Sequence, residues 1–165
     1  MKSSRTFKTA LAILIAAGVA AGCATTPPGP DMALSGDATP QEIERLFDQW
    51  NASLQTGNPA QVANHYASDA ILLPTISNQV MHNREEIKGY FDRFLELKPR
   101  GVMDEQNIRI FGDIAINSGV YTFSLVRDGQ PATMRARYTF VYRRIGDRWF
   151  IIEHHSSAMP GEPPS

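Results

Sequence analysis

Near its C-terminus the sequence reads "RWFIIEHHSSAMP", and His154, His155, Ser156 and Ser157 are the side chains there that could do chemistry. Such residues serve in metal centres, as histidine-activated serine nucleophiles, or as imidazole acids and bases. Alternation along a strand limits all three. It puts Trp149, Ile151, Glu153, His155 and Ser157 on one face and Phe150, Ile152, His154 and Ser156 on the other, so the histidines cannot converge on one ion. The other histidines, His65 and His82, lie in polar contexts without ligand spacing, so no metal and no cofactor is expected. "HHSS" also lacks the sharp turn that exposes a catalytic serine. One histidine, His155, is therefore expected to face a pocket and the other an interface, with the serines satisfying backbone groups at the end of a sheet.

A second constellation is "MRARY", where Arg135, Arg137 and Thr139 share one strand face and Met134, Ala136, Tyr138 and Phe140 the other. Two guanidinium groups on an inner face would hold a carboxylate or an acidic peptide; the alternative is salt bridging to Glu153 or to a partner subunit. Trp50, Tyr66, Tyr90 and Tyr121 are candidates for an aromatic pocket wall, although Trp50 also fits a simple core stripe. Asp69, just before a strand, is the candidate general base, with His155 as its partner. Its alternative role is to cap the turn after a helix.

The elements that must position these residues are legible. "TPQEIERLFDQWNASLQTG" opens with Thr39 as N-cap, Pro40 in the first turn and Glu42 at the capping-box position, and it ends at Gly57. Ile43, Leu46, Phe47, Trp50 and Leu54 form its apolar stripe. A short second helix starts at Asn58-Pro59 and gives out near Ser68 and Asp69, and "AILLPT" follows as a strand. Asn83 and Glu86 cap a third helix, "REEIKGYFDRFLELK", which Pro99 stops. From Gln106 the sequence is rich in β-branched and aromatic residues. Turn signals at Gly112-Asp113, Asp128-Gly129 and Gly146-Asp147 divide it into four antiparallel strands. The expected class is α+β, with three helices packed on a meandering sheet.

The strands "VYTFSLV" and "YTFVY" are apolar on both faces, and the helices can cover only one. A homodimer through the uncovered face is the expectation.

Residues 1–22 combine Lys2, Arg5 and Lys8 with an apolar run from Ala10, the pattern of a signal peptide. "AAGC" then resembles a bacterial lipoprotein cleavage box, with Cys23, the only cysteine, as the lipidated residue and plain secretion or a soluble periplasmic form as the alternative. Loss of the signal removes three of the sixteen bases and none of the seventeen acids, leaving a net charge of −4. That balance argues against nucleic acid as a partner. Residues 23–38, rich in Pro, Gly, Ala and Ser, read as a flexible tether, residues 39–160 as the folded domain, and 161–165 as a tail.

The blocks "WNASLQTGNPAQVANHYASDAILLPT", "GDIAINSGVYTF", "RARYTFVYRR" and "DRWFIIEHHSSAMP" resemble the nuclear transport factor 2-like superfamily, also called cystatin-like or SnoaL-like. Within it they are similar to the association domain of calcium/calmodulin-dependent kinase II and its bacterial stand-alone relatives. The resemblance implies a cone-shaped fold with a cavity between helices and curved sheet, dimers through the sheet, and rings of dimers. It implies no kinase, because no phosphate loop, catalytic Asp loop or Asp-Phe-Gly motif is present. The pocket arginines of the kinase hub domain fall where this chain has Thr122 and Ser156, so a basic pocket would need Arg135 and Arg137.

The functional expectation is a non-enzymatic, self-associating domain of a periplasmic lipoprotein, anchored to the outer membrane, that binds a small anionic ligand or a peptide. The alternatives are a small isomerase, cyclase or hydrolase using Asp69 or His155, and a purely structural oligomerisation module.

Overall fold

The computed structural model describes residues 38–161; the signal peptide, Cys23 and nearly all of the tether and tail lie outside the described residues. Helix α1 spans Pro40–Leu54, and the Thr39 hydroxyl accepts the Glu42 N–H at 3.2 Å, as the cap signature requires. Ile43, Phe47, Trp50 and Leu54 are buried along it, while Leu46 is partly covered. Helix α2, Pro59–Ala63, is capped by Asn58 and ends five residues before Ser68. Strand β1 therefore begins at Tyr66 and runs to Leu73, which places Asp69 inside a strand and not in a turn after α2. Helix α3 covers Arg84–Phe94, with the Asn83 side chain accepting from Glu86 N, and a 3-10 turn, Leu95–Leu97, leads towards Pro99.

Four long strands follow: β2 Arg100–Phe111, β3 Ile114–Arg127, β4 Gln130–Ile145 and β5 Arg148–Ala158. They form the antiparallel meander read from the turn signals, and both Asp128 and Gly129 take positive φ, as the tightest hairpin demands. The sheet order is β1-β5-β4-β3-β2, and β1 pairs with β5 in parallel. The long connection that a parallel pair needs runs from β1 through α3, which packs on β1, to β2 on the far edge and back across the meander to β5.

Two close contacts seat the layers. The Asn51 amide exchanges hydrogen bonds with the backbone of Gly101 at 2.9 and 2.8 Å, tying α1 to β2 where a Cβ would press on the rings of Phe123 and Phe47. A bulge in β2 near Asp104 brings the Glu105 carbonyl onto Gly119, where an added Cβ would lie 2.0 Å from that oxygen.

A second bulge decides the site. On β4, Val141 pairs with Glu153 but Tyr142 pairs with Ile151, so Ile152 is an extra residue in β5. Side-chain parity reverses there. Trp149 and Ile151 therefore share the buried face with His154 and Ser156, while Glu153 and His155 face outward.

Candidate functional site

The helix-facing side of the sheet is built from aromatic rings contributed by every layer. Trp50 of α1 meets Phe140 of β4 edge to face at 5.4 Å, and Phe140 stacks on His154 of β5 at 4.0 Å. Among these rings lies a cavity of about 20 Å³, closed on the helix side by Tyr90, Phe91 and Phe94 of α3 and on the sheet side by Tyr121, Met134, His154 and Ser156.

Two polar chains reach it. In the first, Trp50 Nε1 donates to Tyr66 Oη at 3.2 Å, and Tyr66 Oη is 2.9 Å from His154 Nδ1. An indole N–H is only a donor, so the Tyr66 hydroxyl proton has His154 Nδ1 as its one acceptor. The network thus assigns the imidazole proton to Nε2, and this buried N–H has no partner among the described residues. His154 is held uncharged: burial, followed by the field of His155, lowers its pKa from 6.5 to about 3.

In the second chain Tyr121 Oη donates to Ser156 Oγ at 2.5 Å, and Ser156 Oγ shares a hydrogen bond with Thr75 Oγ1. Burial raises the pKa of Tyr121 far above the ordinary phenol range, and burial does the same for Tyr90. Among the described residues, the wall contains no carboxylate, lysine or arginine. A neutral imidazole of such low basicity and phenols of such low acidity are poor proton carriers near neutrality. The arrangement suits an apolar body with a hydrogen-bond acceptor.

Of the residues singled out in the sequence, Trp50, Tyr90 and Tyr121 line this cavity, and Tyr66 stands one layer behind, holding His154. The others lie elsewhere. His155 is exposed on the opposite face, beside a surface groove of about 170 Å³, because the β5 bulge hands the inward position to His154. Arg135 and Arg137 also lie on the outer face, since Ala136, Tyr138 and Phe140 take the face that the helices cover. Arg135 Nε is 3.0 Å from Asp104 Oδ2, which also accepts from Thr122 Oγ1 at 2.7 Å. Among the described residues, the Arg137 side chain reaches the Ala158 carbonyl, at 3.5 Å. Asp69 is exposed in β1, and its proposed partner His155 does not share the cavity. Neither arginine supplies charge to it.

Sequence reasoning gave His154 to an interface and Ser156 to backbone groups, where the structure has both lining the cavity, and it passed over Thr75. One signal was available: strict alternation placed Glu153 on the face of Trp149 and Ile151, and a carboxylate among core apolar residues marks a parity that must break.

Comparison with known proteins bears on this geometry. No curated protein matches the chain. A structure from Xanthomonas campestris, described as a candidate calcium/calmodulin dependent protein kinase II association domain, is 50% identical with a TM-score of 0.73, covering 78% of this chain and 93% of that one. A nuclear transport factor 2-like superfamily protein from Salmonella enterica is 18% identical, with a TM-score of 0.65 over 74% of this chain and 92% of the other. A candidate dehydratase of the same superfamily from Streptomyces avermitilis is 13% identical, with a TM-score of 0.66 over 73% and 97%. These last two show the shared fold. The sequence profile of the calcium/calmodulin dependent protein kinase II association domain matches residues 39–160, and the chain belongs to that family, with the nuclear transport factor 2-like, cystatin-like fold.

Proposed function

We propose that this domain is a non-enzymatic, self-associating receptor for a small ligand, carried on a periplasmic lipoprotein anchored to the outer membrane through Cys23. The observation that carries the binding reading is the buried, uncharged His154, with an unpartnered Nε2–H beside an aromatic cavity. Buried donors are nearly always satisfied, so an orphan at a cavity supports a ligand acceptor there. Self-association is supported by the outer sheet face, where Ile116, Val120, Val126 and Val141 remain half-exposed.

The enzyme reading draws on the dehydratase-like members of the fold, but here it would have to use His154 and Tyr121, whose pKa values lie far from neutrality. Native mass spectrometry of the protein extracted from its host membrane tests both parts of the receptor reading. The expected result is a dimer or larger assembly retaining a small organic molecule, with Met134→Trp, which fills the cavity, assembling normally but retaining none. A monomer removes self-association. Ligand retained equally by Met134→Trp, or by neither protein, removes the cavity as a binding site.

A further inference from the structure

At about 20 Å³ the cavity has room for roughly one water. A larger guest requires a wall to move, and the structure points to one wall. Pro74 and Ser156 border both the cavity and the 170 Å³ groove outside it. Between them runs the loop of residues 74–80, whose base is pinned by the paired backbone bonds of Leu72 and Met81, both 2.9 Å. Beyond that base, the loop's side-chain link to the sheet among the described residues is the hydrogen bond of Thr75 Oγ1 with Ser156 Oγ. Ile76 and Val80 of the same loop project into water, 42% and 39% exposed. Breaking that hydroxyl–hydroxyl bond would free the loop to move away from Ser156 and widen the cavity towards the groove.

The lining also selects among guests. A carboxylate placed here would be desolvated with no cation among the lining residues, at a cost that one neutral donor cannot offset. A purely apolar molecule would leave the His154 N–H unpaired. Resting on the binding reading above, we propose that the cavity takes an uncharged, compact aromatic or alicyclic molecule bearing a carbonyl oxygen, which accepts the His154 Nε2–H bond, and that it enters by release of the Thr75–Ser156 latch. This ligand class differs from the anion expected from the sequence, because the arginines that would have recognised an anion face the other way.

The test uses three probes of one shape, acetophenone, benzoate and ethylbenzene, titrated at neutral pH into the protein labelled with 15N at histidine. Acetophenone is expected to bind about tenfold more tightly than ethylbenzene, the value of one hydrogen bond to a neutral donor, and to shift the His154 Nε2–H resonance, which ethylbenzene leaves in place. Benzoate is expected to bind at least tenfold more weakly than acetophenone. Thr75→Val, which cuts the latch while keeping the side-chain volume, is expected to speed association several-fold. Tighter binding of benzoate overturns the uncharged class while leaving the cavity a binding site. Equal binding of acetophenone and ethylbenzene, with a static imidazole signal, overturns the role of His154. An unchanged association rate in Thr75→Val overturns the latch. If none of the probes binds either protein, the binding reading falls with the proposal.

Discussion

On the helix-facing side of the sheet, the side chains of His154, Ser156 and Tyr121 sit among aromatic rings and, among the described residues, bond to one another and to Tyr66 and Thr75. On the other side, one residue along the chain from each, His155, Ser157 and Thr122 are exposed or half-exposed, and Thr122 joins the surface pair of Asp104 and Arg135. The residue types are nearly matched, yet their chemistry is not. In water an imidazole, a hydroxyl or a guanidinium is satisfied by solvent, and its ion pairs contribute little. In the aromatic layer the same groups must find partners, and burial sets their protonation. What separates adjacent residues is strand parity, which the extra residue Ile152 resets within β5.

The largest expected effect tests whether bulges hold the two faces apart. Gly119→Ala puts a Cβ 2.0 Å from the Glu105 carbonyl, and a backbone oxygen in a paired strand cannot swing away. A loss of about 3 kcal/mol or more, read by urea denaturation, is the expected outcome. Gly89→Ala, a helical position with nothing within 4 Å of the new Cβ, should be neutral or slightly stabilising.

Next in size is the acid response of the two histidines. The folded-state pKa of His154, about 3, lies below its unfolded value of 6.5, so between these values the unfolded chain holds the extra proton. Stability is then fully present above pH 6.5 and falls with acidification towards pH 3, with a limiting slope of about 1.4 kcal/mol per pH unit from this one group. Comparison of denaturation midpoints across that range should show the slope reduced in His154→Phe and retained in His155→Phe. A slope that survives loss of His154 would mean that its ring is not held neutral by burial.

The smallest effects belong to the outer face. Arg135→Ala and Arg137→Ala should each leave the thermal midpoint within experimental error and the affinity of any cavity ligand within about twofold, because both side chains are exposed. A large loss of ligand affinity in either variant would show that the faces communicate, and it would blunt the contrast drawn above.

Much of the frame was legible in residue types alone. Thr39, Asn58 and Asn83 cap the three helices as their spacing indicated, and the hairpin dipeptides bound the meander. The cavity wall was partly legible, since Trp50, Tyr90 and Tyr121 are large aromatic residues that one layer or another must bury. Asp69 was misplaced because "HYASD" continues a polar helical texture while the strand around it, at Tyr66 and from Ile71 to Leu73, is recruited to pair with β5, a partner some eighty residues away. Propensity has no access to such a partner.

Local composition therefore determined the helices, the turns, the α+β class and a sheet rich in aromatic residues that must be buried. Only the tertiary structure decided which histidine is buried, which way the arginines point, and that the cavity is uncharged. The physical reason is that a strand's facing depends on a count of residues. A single bulge, specified by cross-strand pairing and helix packing, changes that count by one and exchanges everything beyond it between water and core.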